Sequence, residues 1–203
     1  MSEAYKQLSK LRKEQQKLGL LPEWFKSAGY DLFTKSYLFE ADNWNEQIKR
    51  ICDTAARYAP KTLPVTKMGS TWSEVFQYMV NNNFIVLPTP TLANTGTNRG
   101  LSVSCSGQHV GDSIDSFYSN LHESAVLSKL GFGTSGYFGD IRPRGAPITG
   151  GGTASGVLPV LEDYWTMAAK VSQSGIRRGS FAGYIPISHD DFTEVVHNVK
   201  VNP

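Results

Sequence analysis

The sequence predicts an α/β protein: a mainly helical N-terminal region, residues 1–82, then an α/β region, residues 83–203, built on a parallel sheet. Three observations lead there. Apolar residues recur at helical spacing in 43–58 and again in 71–80. The texture changes near residue 83, where short apolar runs bounded by proline and glycine begin. From that point candidate strands alternate with candidate helices at the separations of βαβ units.

Residues 2–18 are polar and basic, with Ala4, Leu8, Leu11 and Leu18 at roughly helical spacing, which predicts a solvated helix or a loosely held arm. Residues 20–39 carry Pro22, Gly29 and many aromatics, and read as a connecting segment that packs on something. In 43–58, Trp44, Ile48, Ile51, Cys52 and Ala55 share one face, with Asp42 or Asn43 able to cap the start. Cys52 belongs to that apolar stripe and is expected to be a buried structural thiol. Thr71 and Glu74 have capping-box spacing ahead of a helix that buries Trp72, Val75, Phe76 and Met79.

Residues 84–87 form a short apolar run closed by Pro88-Thr89-Pro90 and read as a buried strand. Residues 101–110 alternate loosely, as a second strand. Asp112 and Ser113 follow as a capping pair for a helix running to about Lys129. A third strand is expected at 137–141, a helix at 157–171, a fourth strand at 181–187 and helical periodicity at 191–201. The sequence reaches Pro203 with no strand to close the sheet, so the expectation is a piece of a larger sheet.

Composition narrows the function. The chain has 203 residues, 40% hydrophobic and 19% charged with net charge +2, which is the balance of a soluble globular domain and gives no reason to expect nucleic acid or a membrane surface as partner. No apolar run has the length of a membrane span, and the charged start does not fit a secretory leader. Two cysteines, Cys52 and Cys105, are too few for a disulfide scaffold, so a reducing, cytoplasmic setting is expected. His109, His122, His189 and His197 are scattered without metal-ligand spacing.

Gly131, Gly133 and Gly136 spell the G-x-G-x-x-G of dinucleotide sites. That motif works only where a strand leads into the glycines and a helix leads out, so that pyrophosphate meets the helix N-terminus. Here a helix is expected before it and a strand after it. The order is inverted, and the glycines are better read as permitting close backbone approach to a ligand or a neighbouring strand.

Four blocks in series resemble the ribonucleotide reductase large subunit of class I or class II type. They are Leu87-Pro-Thr-Pro-Thr-Leu-Ala-Asn-Thr-Gly96 leading to Ser104-Cys105; Gly111-Asp112-Ser113-Ile114; Gly131 through Ile141-Arg142-Pro-Arg-Gly145 to Gly150-Gly-Gly-Thr-Ala-Ser-Gly156; and Ser172-Gln-Ser-Gly-Ile-Arg-Arg-Gly179. Singly each is weak; their order and separations carry the likeness, over about residues 83–196.

The resemblance implies the first half of a ten-stranded α/β barrel, radical-based reduction of ribonucleotides (diphosphates in the first instance), and a set of roles. Cys105 matches one member of a redox pair that supplies two electrons to the ribose 2′ position and ends as a disulfide. Thr89, Ser104, Cys105 and Gly131 match substrate-holding positions; hydroxyls and unhindered N–H groups suit phosphate oxygens. Asp112, Ser113, Ile114, Arg142 and Thr149 match the site where a deoxynucleoside triphosphate (or ATP, with magnesium) selects the substrate base. Gln173 and Arg177 match a loop relaying effector identity, although Ser172-Gln-Ser-Gly is less glycine-rich than is usual there. Taken alone, Cys105 reads as a small core residue on a strand, Asp112 as a helix cap and Arg142 as a solvated charge; the flanking matches to Thr89 and Ser104 are what favour a functional reading of Cys105.

The same resemblance sets further expectations. No ATP-binding cone pattern precedes the first motif. The finger loop with the radical-bearing cysteine, the second redox cysteine and the C-terminal reducing cysteines would lie on another stretch of polypeptide, leaving this chain inactive alone, as a split-gene half or a fragment. The implied partners are that C-terminal half, a second large subunit across the effector site, a metal-containing radical-generating small subunit (adenosylcobalamin in class II) and a thioredoxin- or glutaredoxin-type reductant. Two other readings compete: a non-catalytic effector-binding or dimerisation module of the same family, and an unrelated α/β protein with a glycine-rich phosphate loop.

Overall fold

The computed structural model describes residues 3–62, 67–173 and 178–199. The chain forms two compact units, Met1–Val103 and Ser104–Pro203. Among the described residues no helix is long and apolar enough to cross a membrane.

The first unit is helical: α1 Glu3–Lys17, α2 Ser27–Leu32 running into a π-helical turn Phe33–Tyr37, α3 Trp44–Ala56, α4 Trp72–Asn81 and α5 Thr89–Asn94. Helix α1 buries no residue and is held by polar side chains: Arg12 Nη1 donates to Phe25 O at 2.8 Å and Gln16 Nε2 to Pro22 O at 2.9 Å. The aromatics of the connecting segment form the core with α3. The Trp44 ring meets Phe25 at 4.9 Å and Phe33 at 5.3 Å, both near edge-to-face. Asn43 caps α3 by accepting from Glu46 N, and Thr71 with Glu74 makes the reciprocal capping box of α4, as expected. Gln47, fully buried, donates to Tyr37 O and Leu92 O at 2.7 and 2.8 Å while accepting from Phe39 N at 3.0 Å. This one amide ties α3 to two neighbouring segments, because a buried carboxamide is tolerated only when its donors and acceptor are used.

The strand expected at 84–87 does not form. Phe84 and Val86 are 67% and 82% exposed, and the chain passes directly into α5. The physical reason lies in Pro88 and Pro90: proline has no N–H to give a ladder, but its fixed φ suits the first turn of a helix.

The second unit is a parallel three-stranded sheet in the order β1 Cys105–His109, β2 Gly133–Tyr137, β3 Phe181–Tyr184. Helix α6 Ile114–Lys129 connects β1 to β2, α7 Val157–Lys170 lies between β2 and β3, and α8 Phe192–Asn198 follows. The expected parallel α/β architecture is present, with three strands among the described residues rather than four. The middle strand also lies earlier than the expected 137–141, inside the glycine block itself. Glycine there is a packing requirement. A Cβ on Gly136 would stand 2.8 Å from the Phe138 ring, and one on its strand partner Gly183 would stand 2.7 Å from Leu161 Cδ2. The core so closed contains Val110, Phe138, Ile141, Val157, Leu161 and Tyr164, with Tyr164 Oη donating to Phe117 O at 3.0 Å. Since α6 leads into the glycines and β2 contains them, the inverted order that argues against a dinucleotide site is the observed one.

Candidate functional site

Strand β1 separates two groups of the residues singled out from the sequence. At its start, Cys105 is exposed and pairs in register with Gly133. Gly133 N donates to Ser104 O at 2.9 Å, and Cys105 Sγ lies 3.6 Å from Ser104 Oγ. Gly131, buried with φ +97°, makes the turn that delivers β2 to this pairing. Ser104, Cys105 and Gly131 are thus neighbours at the entry ends of two parallel strands. Thr89 stands in the other unit, in the first turn of α5, with Oγ1 3.4 Å from Tyr37 Oη. Cys52, by contrast, is buried on α3, where loss of solvation pushes its thiol up to about 12. That environment leaves it as thiol at neutral pH and unreactive.

Past the other end of β1 lies a cavity of ≈ 590 Å³ lined by Asp112, Ser113, Ile114, Arg142 and Thr149. All the residues expected at an effector site meet in it. Local sequence explains how. Ser113 takes the N-cap of α6, accepting from Ser116 N at 3.1 Å, so Asp112 is released from capping and turns to Arg142. Arg142 Nε donates to Asp112 Oδ2 at 2.6 Å and Nη1 to Pro147 O at 3.3 Å. Thr149 lies on a hairpin whose sides pair as Pro147↔Thr153 and whose tip, Gly150–Gly151–Gly152, has φ of +95°, +99° and +94°. Three consecutive left-handed residues are affordable only to glycine.

The walls add residues that sequence reasoning missed. Phe117, Ile148 and Val160 contribute apolar surface, and Asp163 of α7 accepts from Tyr118 Oη at 3.1 Å across the cavity rim. That bond and the carboxylate's charge raise the Tyr118 hydroxyl above its ordinary value. Tyr118 and Asp163 sit 45 residues apart; only the α6–α7 packing joins them. The cavity thus joins apolar walls to a charged edge made of the Arg142–Asp112 pair and the Asp163 carboxylate, the mixture of apolar surface and a few fixed polar groups typical of small-molecule sites. Gln173 is 6% exposed, and Arg177 lies outside the described residues. Among the described residues no group of three or more His, Cys, Asp or Glu is placed to hold a metal ion.

The second unit is thus a parallel β/α unit with an exposed thiol at the entry of one strand and a cavity beyond its exit. Comparison with known proteins names its family. Residues 103–202 match the family described as ribonucleotide reductase, barrel domain. The chain is 33% identical over 154 residues to the vitamin B12-dependent ribonucleoside-diphosphate reductase of Mycobacterium tuberculosis, covering 74% of this chain and 22% of that protein. It is 35% identical over 124 residues to the ribonucleoside-diphosphate reductase subunit alpha of Treponema pallidum, covering 61% of this chain and 15% of that protein. A solved class Id ribonucleotide reductase alpha subunit from Actinobacillus ureae matches with TM-score 0.72 at 32% identity, over 89% of this chain and 32% of that one. The chain belongs to the ribonucleotide reductase large-subunit family. It spans about a fifth of the length of the curated relatives it matches.

Proposed function

We propose that this chain supplies the first part of the catalytic barrel of a ribonucleotide reductase large subunit, acting on ribonucleoside diphosphates once further polypeptide completes the barrel. The relatives' names support the reaction class. The observation that carries the reading for this chain is the collection of Asp112, Ser113, Ile114, Arg142 and Thr149 around one cavity. In this reading a deoxynucleoside triphosphate with magnesium occupies the cavity, its phosphates toward Arg142 and its base against Phe117 and Ile148. The Gln173–Gly179 loop relays the base identity.

At the other end of β1, Ser104, Cys105 and Gly131 hold substrate phosphate and sugar; Thr89, in the other unit, carries the same assignment from the resemblance alone. Cys105 and a second cysteine on the completing polypeptide close to a disulfide as they deliver two electrons, and the 2′-hydroxyl leaves as water. The radical source is a metal-containing small subunit or adenosylcobalamin; in favour of the latter, one set of relatives is named vitamin B12-dependent. A second copy of the large subunit and a thioredoxin- or glutaredoxin-type reductant complete the assembly.

The decisive experiment mixes this chain with a candidate completing polypeptide and assays deoxyribonucleotide formation, alongside deoxynucleotide titration of the chain alone. Turnover with wild type and none with Cys105→Ser supports the proposal. Effector binding with no turnover in any combination leaves instead an effector-binding or dimerisation module, and no deoxynucleotide binding at all removes both.

A further inference from the structure

The turn between β3 and α8 makes a second set of contacts to the Arg142 segment that the reading above does not use. His189 Nε2 lies 2.8 Å from Ile141 O, the carbonyl immediately preceding Arg142. Its other ring nitrogen, Nδ1, accepts from Asp191 N at 3.1 Å, so the ring proton belongs on Nε2 and is donated to that carbonyl. Asp191 is 5% exposed. Its carboxylate accepts from Arg144 N through both oxygens, at 3.0 and 3.1 Å, and from Val157 N at 2.9 Å. Val157 is the first residue of α7 and follows Ser155 and Gly156 of the cavity wall. The Arg144 guanidinium adds a bidentate contact to Glu194 of α8 at 2.6 and 2.9 Å.

The Arg142 segment is therefore gripped on both sides: at the carbonyl before it by His189, and at the amide two residues after it by Asp191. The same Asp191 oxygen holds the start of α7, where the helix dipole favours an anion. Burying a carboxylate is costly, and here the cost is offset because both amides that point into this corner find their acceptor in it. What the charge adds is direction. It fixes two backbone amides relative to each other, one two residues after Arg142 and one directly after Gly156 of the cavity wall. Gly156 is the accommodation made for it, since a Cβ there would stand 2.4 Å from Asp191 Oδ2.

We propose that His189 and Asp191 are positioning residues for effector binding, acting through the backbone on either side of Arg142 and through the first turn of α7. The proposal rests on the reading of the cavity as a deoxynucleotide site, and it deepens that reading by making the turn after β3 part of the site's construction. That turn follows the Gln173–Gly179 loop and β3 in the chain, so its hydrogen bonds to the Arg142 segment link the cavity to the chain one short strand after that loop.

The test is calorimetric titration of the full chain with magnesium and dTTP, and separately dATP, for wild type, Asp191→Ala, Asp191→Asn, His189→Ala, Arg142→Ala and the Asp191→Ala/Arg142→Ala double variant. Asp191→Ala is expected to weaken binding by about tenfold or more, the scale of a lost orientation-fixing hydrogen bond to a charged group. Asp191→Asn, whose remaining oxygen can occupy the place shared by the two amides, is expected to recover most of that loss. In the double variant the two losses should not add, because Asp191 acts through Arg142. Hydrogen exchange at the Arg144 and Val157 amides should accelerate in Asp191→Ala while the sheet amides stay protected. If Asp191→Ala does not fold, His189→Ala with Arg142→Ala carries the same cycle. Unchanged affinity in these variants, or losses that simply add, overturns the proposal. Absence of binding by wild type would instead overturn the cavity's assignment.

Discussion

Arg142 donates from Nε to Asp112 Oδ2 at 2.6 Å, joining the residue before the α6 cap to the loop that follows β2. The contact turns the guanidinium so that Nη1 meets Pro147 O, and leaves Nη2 with no partner among the described residues. Both side chains are partly exposed, 39% and 28%, so the pair contributes little to folding. Its consequence is orientation of a cation at the edge of a cavity.

Arg142→Ala is therefore expected to lower deoxynucleoside triphosphate affinity by roughly 10- to 100-fold, the ~1.5–3 kcal/mol of a charge-assisted hydrogen bond, with little change in melting temperature. Arg142→Lys should restore only part of this, because an ammonium cannot satisfy the Asp112 carboxylate, the Pro147 carbonyl and a phosphate in one plane. Calorimetry on the two variants checks both statements; lysine matching arginine would contradict the geometry.

The two cysteines should behave oppositely toward a thiol reagent. Cys105, exposed at the start of β1, is expected to be labelled in the native chain, and Cys52 only on unfolding. Mass spectrometry of peptides after brief labelling distinguishes them. In a completed enzyme Cys105→Ser should abolish turnover with the physiological reductant and leave effector affinity unchanged.

Gly156→Ala places a Cβ 2.4 Å from Asp191 Oδ2 and 3.0 Å from Arg144 N, at φ +82°. Strain and displacement of a buried carboxylate together predict a loss of roughly 2–3 kcal/mol in denaturant titration. Gly145→Ala, where φ is +84° but nothing lies within 4 Å, should lose only the part due to backbone strain, about 1 kcal/mol.

Tyr164 is fully buried, and burial pushes its hydroxyl up to about 12. The folded state then holds its proton where the unfolded chain, near 10, has released it. The contribution is complete below the unfolded value and is lost as pH rises from about 10 toward 12. Ultraviolet titration should show a late-ionising class of tyrosines, to which the raised Tyr30 and Tyr118 also belong, that shrinks by one in Tyr164→Phe, and the variant should lose about 1 kcal/mol at neutral pH with the bond to Phe117 O. A wild-type chain with every tyrosine titrating normally would contradict the burial.

Helix starts were legible because a cap is a local object: Asn43, Thr71 with Glu74, and Ser113 each bond within three residues. Burial of Cys52 followed from helical spacing for the same reason. The sheet was less legible. Strand β2 is Gly-Thr-Ser-Gly-Tyr, with almost no apolar pattern, and exists because its backbone pairs on both sides with β1 and β3. The run 84–87 has the apolar pattern of a strand but pairs with no strand among the described residues, and Pro88 and Pro90 turn the chain into α5.

What the amino-acid sequence determined by itself was the identity of the short-range devices and, through motif order, the residues that gather at the cavity. Tertiary structure alone decided how they gather. Asp112 and Arg142 are 30 residues apart, Tyr118 and Asp163 are 45, and Arg144 and Asp191 are 47. Each bond needs the elements that carry its two residues already packed, since a hydrogen bond tolerates only a narrow range of distance and angle and only a folded core holds distant residues within it.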